Sequence, residues 1–505
     1  MQLSPSIKEF TKDIEAGKQP LLYTCVPIDT DTPVSAYLKL CEGEPHAFLY
    51  ESVEGAKTVG RYSAIGFNPD MTWTIEGRKS FNKNLVTGEQ ETSDEPLSDL
   101  KARLEQSRVT TKDESALPPM LTSGLFGYMG YDTIKLVEDI PTHTTNTLDI
   151  PDTVMIRPRT ILVFDNIYHK LWIAAPAYKT YKGAPESVYE QCEANIHDAL
   201  MKLRHAVPHN DMISKQDVEH DLNFKANMEE SDFKSMVKKA KDYILSGDIF
   251  QVVLSQRFTA DFKLPAFDFY RSLRRINPSP FLFYVKMDNF SLVGSSPELM
   301  VRVRDGTVTI RPIAGTRKRG ENAAQDLELE QELLADKKEC AEHLMLLDLG
   351  RNDVGKVSEI GSVNVTEKYK VELYSHVMHI VSNVEGRLKK ALHPLDALLS
   401  GFPAGTVSGA PKIRAMEIIN ELEPEARNHY AGCIGYLDAS GNVDNCIALR
   451  TAIIKEGKIM VQSGAGIVAD SDPQSEYEET INKAGAIVTA AKDALELARQ
   501  RLNRN

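Results

Sequence analysis

The sequence predicts an α+β fold in which large antiparallel sheets pack together and helices cover their outer faces. Short β-like stretches are joined by good hairpin turns at Asp305-Gly306, Ser440-Gly441 and Glu456-Gly457, and hairpins make antiparallel sheet. Segments between these stretches carry apolar residues at helical spacing. The 42% of hydrophobic and 26% of charged residues are ordinary for a globular protein of 505 residues. Strands and helices in this mixture predict α+β architecture.

Residues 1–208 form the first predicted region. Residues 45–53 and 159–176 are rich in apolar and aromatic residues, and Asp165-Asn166 divides the second stretch into a predicted hairpin. Residues 181–210 then read as one helix that runs into a polar stretch. Residues 209–230 contain few large apolar side chains, so we interpret them as a linker or crossover.

Residues 231–505 form the second region. A helix is predicted just after residue 230, with Ser231 or Asp232 as its cap and Gly247 as its stop. Four β-like stretches follow, and Asp288-Asn289 is a weaker turn within one of them. The stretches cover residues 249–262, 280–297, 298–312 and 429–468.

Composition excludes several classes of protein. A formal net charge of -13 argues against nucleic acid as the main partner, because phosphate binding requires a basic face. The six cysteines are widely spaced and none stands in a CxxC pair, which argues against a disulfide framework or a zinc site. Apolar runs never reach about 18 residues, so no membrane span is predicted. We therefore expect a cytoplasmic protein.

Two predicted helices carry paired glutamates. Residues 325–353 read as one helix with Leu333, Leu334, Leu344 and Leu347 on its buried side. Glu339 and Glu342 share one face of that helix, and Glu476 and Glu479 share a face of a second helix that Asp472 caps and Pro473 begins. Such pairs are most often solvated surface, but two of them facing each other can hold a hard cation such as Mg2+.

Residues 402–419 are a loop rich in small residues that leads into a predicted helix. Thr406, Ser408 and Lys412 can bind an anion at the start of that helix. The spacing of a P-loop is missing, so ATP chemistry is not supported.

Three further positions have both a structural and a functional interpretation. Gly464 and Gly466 fit either a tight turn or the close approach of backbone to a ligand. Arg450 fits either a surface ion pair or a clamp on a carboxylate. His379 lies among apolar residues, where a core histidine is common, but imidazole is also the side chain best suited to proton transfer near neutral pH.

Residues 310–320, the cationic segment, gather four positive charges in an acidic chain. Arg311, Arg317, Lys318 and Arg319 flank the small apolar step from Pro312 to Thr316. We expect some of these cations to pair with nearby acids, and the sequence does not decide which of them contact a ligand.

The ordered motifs of the chain resemble the chorismate-utilising enzymes. The motifs include "GDIFQVVLSQRF", "RPIAGTRKRG", "HVMHIVSNVEG", "FPAGTVSGAPK" and "SGAGIVADSDP". The resemblance is dense from about residue 225 to 490 and looser over the first 205 residues, and it is closest to the members that form anthranilate. It implies the fold of that family, with residues 231–505 as the catalytic region and residues 1–208 carrying regulatory elements.

The resemblance implies a substrate, a metal and a set of site residues. The substrate is chorismate, a dianion with two carboxylates, and Mg2+ is held by Glu342 and Glu479 with Glu339 and Glu476 nearby. His379 matches the acid/base histidine of the family, and Thr406 and Glu298 match further catalytic positions of the pocket. The implied substrate-binding residues are Ala314, Gly315, Thr316, Tyr430, Arg450, Gly464, Ala465, Gly466 and Lys483.

The nucleophile is inferred from two positions that lack a lysine. Members that use water carry lysine where this chain has Gln251, and an amide cannot act as a general base. Many aminodeoxychorismate synthases carry lysine where this chain has Ala314. Ammonia is the predicted nucleophile. An aminodeoxychorismate synthase and a non-catalytic sensor with the same fold remain as alternatives.

The resemblance also implies two partners. No cysteine lies in a Gly-x-Cys-x-Gly elbow, so a separate glutamine amidotransferase subunit is expected to supply ammonia. Tryptophan is a possible inhibitor, and its site would include Glu51, Ser52, Pro280, Phe281 and Leu282. The sequence departs from the common family patterns at Tyr50, Phe281 and Leu282.

Overall fold

The computed structural model describes residues 2–54, 58–112, 116–143, 145–208, 213–219, 221–374 and 377–503. Among these residues, 22 strands are hydrogen-bonded into one continuous antiparallel network, and two short strands form a separate pair. Helices pack on the faces of the network. The predicted α+β class with antiparallel sheet is confirmed.

Four of the nine connections between the described strands of the N-terminal region are hairpins. They are β1 (Leu21–Pro27), β2 (Ala47–Glu51), β3 (Val53–Glu54), β4 (Thr58–Val59), β5 (Tyr62–Glu76), β6 (Lys79–Asn84), β7 (Gln90–Ser93), β8 (Gly124–Met129), β9 (Thr153–Asp165) and β10 (Lys170–Pro176). β9 and β10 pair antiparallel from Asp165 and Lys170 inward, as the hairpin prediction required.

The strands of the C-terminal region carry several of the predicted site residues, and the others lie in helices and connections. They are β11 (Lys225–Ala226), β12 (Gln251–Asp261), β13 (Phe281–Lys286), β14 (Phe290–Ser296), β15 (Leu299–Arg304), β16 (Thr307–Ile310), β17 (Ile313–Lys318), β18 (Asn364–Leu373), β19 (Val377–Arg387), β20 (Gly409–Ala410), β21 (Cys433–Asp438), β22 (Val443–Ile447), β23 (Thr451–Lys455) and β24 (Lys458–Ile467).

The helices cover the sheet and close its core. They are α1 (Ile7–Glu15), α2 (Pro33–Cys41), α3 (Pro96–Gln106), α4 (Pro185–Leu203), α5 (Lys215–Val218), α6 (Glu230–Leu245), α7 (Ala266–Ile276), α8 (Ala323–Ala335), α9 (Lys337–Val357), α10 (Pro394–Gly401), α11 (Lys412–Leu422) and α12 (Pro473–Leu502). One large apolar core lies between α2, α4, α7, α12 and the sheet, and a second lies beneath α6, α9, α10 and α11.

Strands from the two predicted regions pair with each other. β2 pairs with β13 and β8 pairs with β21, so both regions contribute to one sheet. Residues 209–212 and 220 of the predicted linker lie outside the described residues, and its remaining part includes α5 and β11. β11 pairs with the end of β12.

Turn chemistry located the hairpins correctly. Asp305 and Gly306 have φ angles of 50° and 75°, and Glu456 and Gly457 have 50° and 72°. Two successive positive φ angles define the turn that matches the twist of flanking strands. Both predicted hairpins are confirmed, as is the connection of β21 to β22 around Ser440-Gly441.

The single helix predicted over residues 325–353 is wrong. The chain forms α8 and α9, which meet at Asp336, and the side chain of Asp336 accepts hydrogen bonds from the backbone of Lys338 (2.9 Å) and Glu339 (3.2 Å). This cap restarts the helix with a new phase. Leu334 and Leu344 are therefore 39% and 45% exposed, against the prediction, whereas Leu333 and Leu347 are buried.

The ends of two other helices test the capping predictions. The cap of α6 is Glu229, so Ser231 and Asp232 lie in the first turn and their assignment as caps is wrong. Gly247 follows the end of α6 with a φ of 85°, as predicted. Asp472 caps α12 by accepting a 3.0 Å bond from the Ser475 amide.

All six cysteines are free thiols. None of the helices in the described part of the chain combines the length and the hydrophobicity that a membrane crossing requires.

Candidate active site

His379 lies in β19, opposite the segment of β17 that carries Ala314, Gly315 and Thr316. The strand register shifts between Ala314 and Thr316, and Gly315 has a φ of 68°, so Gly315 is the extra residue of a β-bulge. Its carbonyl oxygen lies 2.9 Å from His379 Nδ1. A carbonyl only accepts hydrogen bonds, so Nδ1 carries the proton and Nε2 of the neutral ring is a free acceptor.

The imidazole of His379 is neutral at physiological pH. Burial lowers the pKa of His379 to about 4, and the positive charges of Arg450 and Lys483 act in the same direction. The Thr316 hydroxyl lies 3.2 Å from Nδ1, beside the contact with Gly315. A neutral, oriented imidazole has the form that a general base requires.

Glu298 supplies an acid on the other side of the site. It lies in the connection between β14 and β15 and is 7% exposed, and Thr406 donates a 2.9 Å hydrogen bond to its Oε1 atom. Burial raises the pKa of Glu298 to about 8, although the Thr406 hydrogen bond and the charges of Arg450 and Lys483 oppose the rise. The carboxyl group is therefore mostly protonated at pH 7 and can donate a proton.

Arg450 is a cation that has no anionic hydrogen-bond or ion-pair partner among the residues that the structure describes. It lies in the turn between β22 and β23 with a φ of 46°, and its guanidinium has no hydrogen bond or ion pair within the described ranges. Burial lowers the pKa of Arg450, and the nearby groups of Glu298 and Tyr430 oppose this effect. A partly buried guanidinium in this state favours an anionic ligand, and its planar donors match a carboxylate.

The glycines of β24 allow close packing beside Tyr430. Gly464 and Gly466 lie within the strand and not in a tight turn. A Cβ atom on Gly464 would come within 2.9 Å of Tyr430 Oη, and one on Gly466 within 2.6 Å of Gln251 Nε2. Ala465 faces the apolar core, so only its backbone can line the site. Burial raises the pKa of Tyr430 to about 12, which keeps its hydroxyl protonated.

Lys483 connects this strand to the glutamates of α12. Its Nζ atom donates to Gly464 O (3.1 Å) and pairs with Glu479 at 2.6 Å. The charge of Lys483 also acts on Glu298 and His379, so these groups surround a common space.

The two glutamate pairs of α9 and α12 face each other. Burial raises the pKa of Glu342, and repulsion from Glu339 and Glu479 raises it further. Burial and the charge of Glu479 likewise raise the pKa of Glu476. Within the described ranges, no three carboxylate, imidazole or thiol side chains form a ready-made metal cage. The oxygen donors nevertheless fit Mg2+, which keeps several water or substrate ligands and needs few from the protein.

The arginines of the cationic segment are held by protein acids. Arg317 pairs with Asp336 at 2.7 Å and also with Glu332 and Glu339, and Arg319 pairs with Asp326 at 2.6 Å. Arg311 pairs with Glu372 and lies 3.4 Å from Glu367. Lys318 is exposed.

The predicted anion site at the start of α11 is wrong. Lys412 forms a 2.8 Å ion pair with Asp353, with both side chains largely buried. The Ser408 hydroxyl is fully buried and donates to Ala404 O at 2.8 Å. Only Thr406 of the three predicted residues points to the site, through its bond to Glu298.

The two segments predicted to bind tryptophan lie side by side. Leu282 is directly opposite Glu51 in the β2–β13 pair, and the Val53 amide donates to Ser279 O. Glu51 is buried and accepts two hydrogen bonds from Arg274, at 2.8 and 2.9 Å. Leu282 is buried, whereas Ser52, Pro280 and Phe281 are partly exposed. Tryptophan binding stays a prediction.

Two groups next to the site were not predicted from the sequence. Arg427 lies with its guanidinium 5.5 Å from the Tyr430 ring centre and forms a fully buried ion pair with Glu423. Tyr374 packs its ring against His379 at a centroid distance of 5.4 Å. Arg427 has a local signal, because it precedes Tyr430 by three residues, but the contact of Tyr374 depends on strand pairing.

The site therefore combines an unpaired cation, a protonated acid, a neutral base and a group of carboxylates. Arg450 and Lys483 favour an anionic ligand, Glu298 can protonate a leaving group, and His379 Nε2 can remove a proton. The glutamates of α9 and α12 add oxygen donors of the kind that a hard cation prefers.

Comparisons with known proteins show which family the chain is similar to. The sequence pattern of a family described as chorismate binding enzyme matches residues 45–489. An anthranilate synthase component 1 from Cereibacter sphaeroides is 48% identical over 98% of this chain and 99% of its own length. One from Synechocystis sp. is 44% identical over 97% and 99%.

Two solved structures are similar to the whole architecture. Anthranilate synthase component I from Streptococcus pneumoniae has a TM-score of 0.75 at 40% identity, covering 85% of this chain and 92% of that one. The menaquinone-specific isochorismate synthase from Escherichia coli has a TM-score of 0.69, covering 96% and 99%. At 19% identity, the second similarity shows a shared fold alone.

Proposed function

The chain belongs to the chorismate-binding enzyme family and, within it, to the anthranilate synthase component 1 proteins of tryptophan biosynthesis, and we propose how its residues perform that reaction. Chorismate and ammonia give anthranilate, pyruvate and water. A dianion must be bound, a hydroxyl must leave, and a ring proton must be removed.

The observation that carries the proposal is that the Arg450 guanidinium has no anionic partner in the described part of the chain. A partly buried cation without a protein anion needs a negative ligand, and chorismate offers two carboxylates. Arg450 binds one of them. Tyr430, Lys483 and the backbone from Gly464 to Gly466 bind the other, since the Tyr430 hydroxyl lies beside that strand and Lys483 donates to it.

Mg2+ would be held by Glu342 and Glu479, with Glu339 and Glu476 close by. A divalent cation there would relieve the repulsion that raises the pKa of Glu342. When bound, the ion supplies charge neutralisation at the ring carboxylate of chorismate.

Glu298 acts in the first step as the proton donor. Its pKa of about 8 keeps the carboxyl group neutral at pH 7. Ammonia forms a C–N bond at ring carbon 2 while the C–O bond at ring carbon 4 breaks, and the Glu298 proton leaves with the hydroxyl as water. The positive charges of Arg450 and Lys483 stabilise the Glu298 carboxylate until the ammonium group formed at ring carbon 2 gives up one proton to it.

His379 acts in the second step as the base. Nε2 takes the proton from ring carbon 2, the ring becomes aromatic, and the C–O bond to the enolpyruvyl group breaks. The departing enolate takes the proton from the His379 imidazolium at its methylene carbon and becomes pyruvate, which returns His379 to its neutral form. Two carboxylates of the bound substrate raise the proton affinity of His379 above that of the empty site.

Ammonia is the nucleophile that the surrounding side chains favour. Gln251 is 3% exposed and lies against Gly466, and its amide cannot deprotonate water. Ala314 lies opposite Ile380, the residue after His379, in the β17–β19 pair. Its methyl side chain provides no amine for covalent attack on the ring. Ammonia needs neither group.

A separate glutamine amidotransferase subunit would supply the ammonia in the cytoplasm, and the designation component 1 of the relatives supports a partner. Tryptophan would act as inhibitor at the adjacent segments around Ser52 and from Pro280 to Leu282. The amidotransferase partner, the cytoplasmic location and the tryptophan site are all proposed from the family resemblance. The pairing of β2 with β13 additionally supports the tryptophan site, because it brings the two segments together.

The test uses the purified full chain with chorismate, Mg2+ and ammonium, and EDTA as control. The expected result is fluorescent anthranilate with an equal amount of pyruvate, both lost with EDTA. Consumption of chorismate without pyruvate would instead indicate aminodeoxychorismate or isochorismate. No turnover at all would favour a non-catalytic sensor.

A further inference from the structure

We propose that Tyr374 is a positioning residue that holds the imidazole of His379 in its working orientation, and that Arg311 and Arg319 of the cationic segment fix Tyr374 in place. The inference rests on the proposed role of His379 as the base. It assigns a function to Arg311 and Arg319. Protein acids neutralise the charges of both arginines, and neither of them acts on the substrate.

Strand pairing brings Tyr374 to His379. Glu372 is directly opposite His379 in the β18–β19 pair, and Leu373 is opposite Met378. The Tyr374 amide continues this pairing by donating to Val377 O at 2.8 Å. The ring of Tyr374 then meets the His379 ring edge to face, with centroids 5.4 Å apart and an angle of 66° between the planes. This is a favourable aromatic geometry.

The cationic segment holds Tyr374 at both ends. Arg319 Nη1 donates a 2.7 Å hydrogen bond to the Tyr374 carbonyl, and Asp326 orients the same guanidinium. The Tyr374 hydroxyl donates to Glu372 Oε2 at 3.2 Å, and Arg311 donates to the Oε1 atom of that carboxylate. Backbone and hydroxyl of Tyr374 are therefore tied separately to residues 310–320.

His379 needs such support because, among the described residues, only the Nδ1 edge of its ring is hydrogen-bonded. The Nδ1 contacts with Gly315 O and the Thr316 hydroxyl favour the Nδ1–H tautomer, but a tilt of the ring would weaken both contacts and release that tautomer. Contact with the Tyr374 ring restricts the tilt and directs Nε2. A displacement of about 1 Å in a reacting group can cost on the order of 100-fold in rate.

The Tyr374 hydroxyl is committed to Glu372 and is not a proton donor to substrate. Burial raises the pKa of Tyr374, and the charge of Glu372 raises it further, so the phenol stays protonated throughout the working range. The charged groups that act on His379 itself are Arg450, Lys483 and Glu372. Tyr374 therefore acts through the position of the imidazole.

Three variants of the full chain test the inference. Tyr374→Ala removes the ring, and Tyr374→Phe keeps it but removes the hydroxyl. Glu367→Gln is the matched control, because Glu367 lies on the same strand and contacts the same Arg311 at 3.4 Å but has no bond to Tyr374. Wild-type turnover in the same assay tests the proposed function separately.

We expect kcat to fall about 100-fold in Tyr374→Ala with KM within about twofold. In Tyr374→Phe, the loss of one hydrogen bond should lower kcat only about fivefold. Glu367→Gln should match wild type. Unchanged kcat in Tyr374→Ala, a loss expressed in KM, or a Phe variant as impaired as the Ala variant would overturn the inference, and the last two would indicate direct contact with substrate.

A second measurement does not depend on turnover. ¹⁵N chemical shifts of labelled histidine, with His379 assigned by its absence in His379→Asn, report the tautomer at neutral pH. The Nδ1–H form should dominate in wild type and in Tyr374→Phe, and a mixture of tautomers should appear in Tyr374→Ala. The same single tautomer in all three proteins would overturn the inference even if the wild-type chain formed no anthranilate.

Discussion

Thr406 donates a 2.9 Å hydrogen bond to Glu298 Oε1, which joins the 3-10 turn Gly405–Val407 to the connection between β14 and β15. A hydroxyl donor of this kind favours the ionised carboxylate, yet the pKa of Glu298 is raised to about 8 because burial outweighs the hydrogen bond. The carboxyl group is thus protonated where the first step needs a proton donor.

Glu298→Gln should lower kcat by about 100-fold or more, which is the contribution typical of a general acid. The wild-type kcat, measured at constant free ammonia, should fall as pH rises through about 8, because Glu298 then loses its proton. Glu328→Gln, at an exposed position of α8, is the control. A wild-type pH profile without this fall would exclude Glu298 as the donor.

Glu298 also sets a pH dependence of stability. Its folded pKa of about 8 lies above the usual 4.5, so its favourable contribution is complete below pH 4.5 and is lost as pH rises through about 8. In the Glu298→Gln variant the amide does not titrate, so this loss of stability at higher pH is absent. Its Tm should equal that of wild type near pH 4.5 and exceed it at pH 9.

Glu342→Ala should abolish anthranilate formation without loss of fold. The side chain is the proposed metal ligand, and burial together with repulsion from Glu339 and Glu479 disfavours its charge. Removing it should leave Tm unchanged or slightly higher. Asp348→Ala on the same helix is the control, since Asp348 is exposed and pairs only with Arg351 at 3.0 Å among the described contacts. Retained activity at ordinary Mg2+ concentrations would contradict the assignment.

The sequence was sufficient where local chemistry decides the structure. Asp305-Gly306 and Glu456-Gly457 are residue types that favour the positive φ angles of a hairpin turn. Asp472 is a typical helix cap, and Pro473 is typical of the first turn that follows it. The prediction of one helix across Asp336 was wrong because the apolar periodicity continues on both sides of this residue and hides its role as a cap.

Family motifs named the candidate site residues, but the contacts of these residues depend on long-range pairing. Arg311 meets Glu372, 61 residues away, and Thr406 meets Glu298, 108 residues away. Neither contact can be derived from the local sequence pattern. The register of β18 against β19 determines the first contact, and the position of the 3-10 turn next to Glu298 determines the second. The ion pair between Lys412 and Asp353 could not be predicted for the same reason.

Arg450→Gln should raise the KM for chorismate about 10- to 100-fold, because a charged hydrogen bond contributes about 1.5–3 kcal/mol. kcat should change less, since the carboxylate is bound in both ground and transition states. The guanidinium has no acidic partner in the described part of the chain, so Tm without ligand should not fall. Chorismate should raise the Tm of wild type but not of the variant. An unchanged KM would exclude the carboxylate clamp.

Gly464→Ala and Gly485→Ala should have opposite effects on stability. A Cβ atom at Gly464 would lie 2.8 Å from Leu254 O and 2.9 Å from Tyr430 Oη, and the backbone oxygen cannot move without disturbing the β12–β24 pair. We expect a loss of about 1–3 kcal/mol in the free energy of unfolding and a higher KM, because Tyr430 is displaced. Gly485 lies within α12 with no neighbour inside 4 Å, so alanine there should stabilise the protein by about 0.5–1 kcal/mol and leave KM unchanged. Denaturant unfolding and chorismate titration of both variants measure these effects. A Gly464→Ala protein with wild-type stability and KM would show that the strand does not pack against Tyr430 as described.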